Sequence, residues 1–357
     1  MHYLLSPKGK KFLLILCGLA SVLWNPANAG VDTIPGDTAA YNIKENADAG
    51  TIPGNAAVDT ISGDAAVDSI PGDDTSDKIA ENGIDKTRLG FTLAGTVAGW
   101  AGMTIYLYES LYKNNLNSSF KFINDLGENK DIDKTGHMFS SYTLSIAGIH
   151  LMKQTGMDRK RAAWIGGSYG TVFLTTKEIL DGFREGFGFS VPDMAANIAG
   201  SALAVSQELL LGHQVVRVKY SYHESGLAKD TSYDPGRNLA DRMIFNYSGQ
   251  THWLSLNINS LGGMMEVFPG WLNIAFGYSV CGVTGGCSGT LVAKSTGITN
   301  SAGYRQVFIA PDIDLSAIET GSGFFNGVLR TLNFLKIPSP ALEYNRVEGF
   351  RLHLLYF

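Results

Sequence analysis

Residues 191–222, VPDMAANIAGSALAVSQELLLGHQVVRVKYSY, contain the change of pattern that decides the fold. Their first part, to about residue 212, predicts a helix, because Ser190 fits its N-cap and Pro192 its first turn. From Gln214 onward the apolar period becomes alternating, and residues 215–222 predict a strand rich in β-branched and aromatic side chains. The chain is therefore predicted to be helical before this stretch and β-rich after it.

Before this stretch, helical patterns begin near Asp85, and residues 89–108 contain no charge. At about 1.5 Å per residue they could just cross a hydrocarbon core. Small residues four apart, Gly95 and Gly99 among them, equally fit packing against partner helices. Further helices are predicted at about 134–153, 159–186 and 191–212, with uncharged centres that suit a buried or partly inserted bundle.

After this stretch, strands are predicted at residues 215–222, 253–258, 271–278, 304–315 and 350–357, with turn residues between them. The fold class is α+β, with an N-terminal helical bundle of about four apolar helices followed by an antiparallel β-sheet or partial barrel. The predicted organisation places the bundle at residues 87–213 and the antiparallel β-rich region, packed on the bundle, at residues 214–357.

The N-terminus predicts export. Lysines at positions 8, 10 and 11 precede an apolar run at 12–24, and Ala27-Asn28-Ala29 forms a small-x-small cleavage site. The run is shorter than the roughly 20 residues that span a membrane. Residues 1–29 are therefore predicted to be a signal peptide, which places the protein in the periplasm or in association with the outer membrane. Lipoprotein processing at Cys17 is disfavoured, because Leu16 precedes it.

Residues 30–86 contain a nine-residue unit that recurs at 31–39, 49–57, 58–66 and 67–75, each time around a turn with glycine. A unit has only two or so apolar side chains, too few to offset the entropy of an ordered chain. This region is predicted to be a flexible acidic linker, with a stacked-repeat module as the alternative.

Composition excludes one class of function. Only 17% of residues are charged, against roughly 25% in an average soluble domain. The formal charge is −5, and loss of the three leader lysines would bring it near −8. Nucleic-acid binders are usually basic, so we expect no nucleic-acid partner. The low charge favours an apolar interior or a membrane surface.

Cleavage of the leader would leave two cysteines, Cys281 and Cys287, separated by five residues of which three are glycines. In an oxidising compartment such a segment can fold back and form a disulfide, the favoured prediction, with two unpaired thiols as the alternative. No histidine lies within twenty residues of either cysteine. A metal site at these cysteines is therefore disfavoured. His150, His213, His223, His252 and His353 are scattered along the sequence and form no metal motif, so we predict no metal site and no cofactor.

Polar residues at the predicted start of the second helix could carry chemistry. His137 follows Asp133 by four residues and Lys134 by three, so the three side chains can share a helix face. This arrangement could hold His137 in one tautomer for proton transfer or anion binding. In the alternative, Asp133 is the N-cap and His137 is a core residue.

Further polar residues lie on the next two predicted helices. Glu178 and Asp181 are three apart, Asp193 and Asn197 are four apart, and Gln207 continues the stripe. If the helices are antiparallel, the pairs meet at one end, and His137, Glu178 and Asp193 should lie within about 8 Å of one another. Lys134 or Lys177 could instead neutralise these acids in a structural ion network.

These residues carry a family resemblance. The segments 133–137 (DKTGH), 177–183 (KEILDGF) and 189–200 (FSVPDMAANIAG) resemble the YfiM-type predicted periplasmic lipoproteins, whose function is not established. The resemblance continues through 253–259, 271–278 and 312–315, but this leader lacks a usable lipobox.

The chain is also distantly similar to VanZ-like membrane proteins, which implies an envelope-glycopeptide or lipid-related role. That similarity rests on a set of seven positions: Asp133, Lys134, His137, Glu178, Asp193, Asn197 and Gly200.

Two classes of function remain, since the chain has no G-x-S-x-G elbow, Walker loop, H-E-x-x-H or C-x-x-C motif. The favoured one is a non-catalytic envelope component at the membrane surface that binds lipid, glycan or another envelope protein. The alternative is a hydrolase or transferase acting on an envelope lipid or glycan. In that case His137 would be the general acid or base, oriented by Glu178 and Asp193, and Lys134 would hold an anionic group. The remaining predicted binding residues are Asp133, Lys177, Asp181, Asn197 and Gln207.

Overall fold

The computed structural model describes residues 83–114, 116, 119–224, 239–282 and 303–357 of the protein. The predicted signal peptide, nearly all of the repeat linker, and Cys287 lie outside these ranges, so those assignments stay predictions. Within them a helical region comes first and an antiparallel sheet follows, in the predicted order.

The helices and strands are labelled in chain order. The α-helices are α1 (Lys86–Leu107), α2 (Ile132–Gln154), α3 (Arg159–Gly167), α4 (Tyr169–Gly182), α5 (Val191–Leu210), α6 (Leu239–Phe245) and α7 (Gly323–Leu332). The strands are β1 (Phe122–Ile123), β2 (Phe189–Ser190), β3 (Val216–Tyr222), β4 (Gln250–Asn257), β5 (Leu272–Cys281), β6 (Tyr304–Ile313), β7 (Ser339–Asn345) and β8 (Gly349–Tyr356).

Helix α1 contains the uncharged segment and begins at a side-chain cap. Asp85 accepts hydrogen bonds from the backbone N–H groups of Thr87 and Arg88, at 2.9 and 3.0 Å. None of the residues of α1 is buried, and Phe91 is 76% exposed. Among the described residues, no helix combines the length and the apolar character that crossing a membrane requires.

The predicted helix at 159–186 is wrong as a single element, because the structure divides it into α3 and α4 at Ser168. Both pieces pack closely on α2. A Cβ added to Gly166 would lie 2.3 Å from the carbonyl carbon of Gly148, and one added to Gly170 would lie 2.0 Å from the carbonyl oxygen of Ser141. The break at Ser168 lets two successive turns meet the α2 backbone, which local periodicity cannot reveal.

The six-stranded sheet has the order β3-β4-β5-β6-β7-β8, and every pair is antiparallel. Five of these strands overlap the predicted ones, whereas β7 was missed. Along β7 the buried residues are Ala341, Glu343 and Asn345, while Leu342 and Tyr344 are exposed. The polar side of β7 therefore faces inward.

The sheet is strongly curved. Neighbouring strands lie about 4.8 Å apart, so β4 and β8, four strands apart, would be separated by about 19 Å in a flat sheet. The hydroxyl groups of Thr251 on β4 and Tyr356 on β8 are nevertheless 3.0 Å apart. The rings of Trp253 and Phe308, with centroids 5.8 Å apart, fill the concave side together with Tyr356.

Helix α2 contacts the convex side of the sheet near β3, β4 and β5. Val218 packs with Tyr142 and Ile149, and the ring of Phe139 stacks on Tyr220 at 5.4 Å between centroids. This packing fixes the N-terminal half of α2, which contains His137.

Candidate functional site

Three helices bring the three predicted catalytic residues together. The Nε2 atom of His137 on α2 lies 3.6 Å from Oε1 of Glu178 on α4 and 3.5 Å from Oδ2 of Asp193 on α5. These distances fall well within the separation expected from the antiparallel arrangement. All three side chains are nearly buried, so the site lies inside the helical region.

The turn before α2 sets the position of this helix. Asn129, Lys130 and Asp131 have positive φ values of 46°, 58° and 66°, in the left-handed region that costs free energy for residues other than glycine. Tyr278 donates a hydrogen bond from its hydroxyl to the carbonyl of Lys130, and Arg305 contacts the Asp131 carboxylate at 2.7 Å. Side chains of β5 and β6 thus fix the turn that leads into α2.

The alternative in which Asp133 caps α2 is wrong. The helix begins at Ile132, one residue earlier, and its N-cap position is occupied by Asp131, whose side chain makes no capping bond. Asp133 instead accepts a hydrogen bond from Lys134 Nζ at 2.8 Å. Burial raises the pKa of Asp133, although the bond from Lys134 opposes this shift.

The start of α5 is built as predicted and also orients two acids. The Ser190 hydroxyl accepts a hydrogen bond from the Asp193 N–H at 3.1 Å and donates one to Asp125 at 2.6 Å. The Ser190 N–H donates to Oε2 of Glu178 at 3.2 Å. A single capping residue therefore anchors one oxygen of Glu178 and positions the backbone of Asp193.

Lys134 lies at the centre of three carboxylates. Its Nζ is 2.7 Å from Asp125, 2.8 Å from Asp133 and 2.9 Å from Oδ1 of Asp193. Burial opposes the charge of Lys134, but hydrogen bonds to these three acids outweigh it and raise the lysine pKa. Lys134 is therefore a fixed cation, with its hydrogen-bonding capacity directed to the acids.

Lys177 neutralises the other side of the cluster. Its Nζ is 2.7 Å from Asp181 and 3.1 Å from Oε1 of Glu178. The Tyr112 hydroxyl also donates to Asp181, at 2.8 Å, and Arg184 lies 4.0 Å from the same carboxylate. Asp181 is thus the main partner of Lys177, and Glu178 is the weaker one.

His137 is neutral and held in one tautomer. Its Nδ1 lies 3.0 Å from Oδ1 of Asn197. Because an amide oxygen only accepts, Nδ1 carries the proton and Nε2 presents its lone pair. Burial, together with the nearby charge of Lys177, lowers the pKa of His137 to about 3. The lone pair of Nε2 therefore faces two carboxylates.

Burial also perturbs the acids that face His137. It raises the pKa of Glu178 to about 7, with Lys177 opposing the shift. Burial raises the pKa of Asp193 as well, against the hydrogen bond from Lys134. Carboxyl groups with raised pKa values beside an unprotonated imidazole can exchange a proton or share a cation.

One predicted binding residue lies outside the cluster, and one residue of the cluster was not predicted. Gln207 lies apart from the cluster, because its side chain joins α5 to β3: Nε2 donates to the carbonyl of Val216, and Oε1 accepts from the N–H groups of Val215 and Val216. Asp125, which contacts Lys134 at 2.7 Å, was not predicted. It precedes α2 in an irregular segment, where helical spacing carries no signal.

A cleft adjoins the cluster. Its larger part, of about 500 Å³, lies between α2 and the convex side of the sheet and is lined mostly by apolar residues such as Met138, Phe276 and Ile309. A second part, of about 410 Å³, is lined by Lys134 and Arg305 among others. The two parts have lining residues in common: Thr135, Met138 and Tyr278. The cleft therefore joins an apolar end to a charged end.

Cys281 is buried at the end of β5. Its predicted partner Cys287 lies outside the described residues, and the disulfide stays a prediction.

Comparison with known proteins gives one family. Residues 122–208 match the model of the family described as "Predicted periplasmic lipoprotein (DUF2279)", and this segment includes every residue of the His137, Glu178 and Asp193 cluster. No curated protein and no solved structure gives a significant match. The match supports a periplasmic or membrane-associated location in general. The helical segment is thus similar to a family of predicted periplasmic lipoproteins of unknown function.

Proposed function

We propose that the protein is a non-catalytic component of the cell envelope that binds lipid at the membrane surface through the convex face of its sheet. The main observation in support is the difference between the two faces of this sheet: charged side chains are buried on the concave face, and apolar side chains are exposed on the convex face. The family similarity and the YfiM-type and VanZ-like resemblances, the latter implying a lipid-related or glycopeptide role, agree with an envelope location.

The outer face is a continuous apolar row. Paired residues of adjacent strands point to the same face, and one line of pairs across five strands consists of Leu254, Phe276, Ile309, Leu342 and Leu352. Their exposed fractions range from 38% to 69%. The last strand extends the row, because Leu354 is 82% exposed.

The inner face buries charged side chains beside the aromatic cluster of Trp253, Phe308 and Tyr356. Lys219 and Asp312 form an ion pair at 2.8 Å, and neither side chain is exposed. Glu343 is also buried, 2.6 Å from His353. An antiparallel sheet with one side in water normally turns its polar residues outward. The opposite arrangement here favours an apolar environment on the convex side.

The cleft favours lipid over other apolar partners. Its apolar end can take an acyl chain, and its volume lies within the range of sites for small ligands. Its other end is lined by Lys134, whose ammonium is held by three acids, and by the half-exposed Arg305, which is the cation that can meet a polar headgroup. A ligand with one apolar and one polar end matches both parts of the cleft.

The test is co-sedimentation of the full exported chain with vesicles of phosphatidylethanolamine and phosphatidylglycerol. The double variant Leu352→Asn with Leu354→Asn should bind vesicles at least roughly tenfold more weakly, because each leucine that the membrane buries contributes about 1.5–3 kcal/mol to binding. The matched control is Leu210→Asn with Leu211→Asn, which changes two exposed leucines at the end of α5.

The control should bind like the unchanged chain. Equal binding of both double variants, or no binding of the unchanged chain, would contradict the proposal.

A second candidate is an envelope lipid or glycan hydrolase or transferase that uses His137, Glu178 and Asp193. The supporting observation is that Glu178, with a pKa near 7, lies 3.6 Å from the unprotonated Nε2 of His137. Conversion of labelled envelope lipid or glycan extract that is lost in Glu178→Gln, with vesicle binding retained, would support it. Absence of turnover in the unchanged chain would oppose it.

A further inference from the structure

The helical cluster carries more negative than positive charge. Its carboxylates are those of Asp125, Asp133, Glu178, Asp181 and Asp193, and its fixed cations are Lys134, Lys177 and Arg184. His137 adds no charge while it is neutral. With all five acids ionised, the cluster has a net charge of −2, which is expensive in a buried region unless it is compensated.

The surplus is concentrated around one point. The His137 lone pair, Oε1 of Glu178 and Oδ2 of Asp193 all lie within 4.8 Å of one another. The separations of 3.5 and 3.6 Å from Nε2 are too long for good hydrogen bonds. Three acceptor atoms thus converge, an arrangement that is repulsive on its own and that a shared cation would stabilise.

We propose that His137, Glu178 and Asp193 bind a divalent metal ion, with Zn²⁺ the best-fitting ion. With bonds of about 2.1 Å, separations of 3.5 and 3.6 Å subtend about 110–120° at the ion, close to tetrahedral. One imidazole and two carboxylates suit zinc and leave its fourth position open. This inference goes beyond lipid binding and does not depend on it.

The rest of the cluster orients these three donors. The other oxygen of Glu178 accepts from the Ser190 N–H, and the other oxygen of Asp193 faces Lys134. The Nδ1–H of His137 donates to Asn197, the kind of outer partner that fixes the tautomer of a metal-binding histidine. Each of the three residues therefore directs one atom towards the metal position, while a neighbouring group holds its second polar atom.

Lys177 competes with the ion for Glu178. Its Nζ is 3.1 Å from Oε1, the oxygen assigned to the metal, but only 2.7 Å from Asp181. Removal of this ammonium should therefore strengthen metal binding. Asp181 would keep Tyr112 and Arg184 as partners in such a variant.

The test uses the tag-free exported chain, stripped with chelator and titrated with Zn²⁺ by calorimetry. We expect one ion per chain and at least roughly tenfold weaker binding in His137→Gln, Glu178→Gln and Asp193→Asn. The matched control is His213→Gln, which removes an exposed histidine and should leave the affinity unchanged.

Two further measurements test the metal site without relying on the folding of the ligand variants. Lys177→Gln should bind Zn²⁺ more tightly, a gain that structural damage would not produce. Co²⁺ in the unchanged chain should give the intense visible absorption of a tetrahedral site.

Any of three results would overturn the site. They are no Zn²⁺ binding by the stripped chain, the same affinity in a folded His137→Gln variant, and a Co²⁺ spectrum that matches the hydrated ion.

Discussion

The helical cluster and the concave side of the sheet both bury charges, but they satisfy them differently. In the sheet, Glu343 accepts hydrogen bonds from Gln306 and Asn345 on one oxygen and contacts His353 on the other, at 2.6 Å. In the helical cluster, three acceptors face one another, and acids outnumber cations. Burial alone therefore does not identify a site. The informative difference is whether each buried polar group has a hydrogen-bond or ion-pair partner, or whether several acceptors face one another and could bind a ligand.

The largest loss of stability is expected for a substitution of Glu343 in the buried network of the sheet. Glu343→Ala would leave the side chains of Gln306, Asn345 and His353 without their common acceptor. We expect a loss of about 3–5 kcal/mol in the free energy of unfolding, measured with denaturant. Exposed Glu185→Ala should change stability by less than about 0.5 kcal/mol. A loss of that small size for Glu343→Ala would show that the network is not essential.

The second prediction uses the pH dependence of Lys336. Burial lowers the pKa of this lysine to about 8, against the attraction of Asp312. Between about pH 8 and its ordinary pKa of 10.5, the unfolded chain binds more protons than the folded one, so this group makes stability rise with pH.

The rise should amount to at most about 3 kcal/mol, and it should be absent in Lys336→Met. The measurement is the free energy of unfolding of both proteins across this range. Parallel curves for the two proteins would show that Lys336 keeps an ordinary pKa.

The third prediction concerns the open cluster. Without metal and at a pH above 7, where Glu178 is ionised, Glu178→Gln should raise the free energy of unfolding by about 1–2 kcal/mol, because it removes one surplus negative charge and retains an oxygen for the Ser190 N–H. The comparison is with Glu208→Gln, which changes an acid paired with Lys153 at 2.9 Å and should destabilise the protein. Destabilisation by both variants would mean that the charges of the helical cluster are as fully paired as those in the sheet interior.

The fourth prediction, with the smallest effect, concerns the hydroxyl contact that joins β8 to β4 across the curved sheet. Tyr356→Phe removes the bond between β8 and Thr251, which should cost about 1 kcal/mol in thermal or denaturant unfolding. Tyr344→Phe changes an exposed tyrosine on β7 and should be neutral. A double-mutant cycle with Thr251→Val isolates the hydroxyl contact, and no coupling in it would contradict this bond.

Much of the candidate site could be predicted from local spacing. Residues three or four apart share a helix face, and antiparallel helices bring their ends together, so His137, Glu178 and Asp193 were expected to meet. Asp125 and the position of Gln207 could not be predicted in this way. Each depends on a contact between segments that are distant in the chain.

Local sequence patterns predicted that the main helical region precedes Gln214, that the strands of the six-stranded sheet follow it, and that α5 starts at Ser190. These features follow from periodicity and capping, which act over a few residues. Packing between distant segments set the break at Ser168, the burial of charged groups on the concave side of the sheet, and which atoms of His137, Glu178 and Asp193 face one another. These depend on which surfaces meet, and packing between distant segments sets that beyond any local pattern.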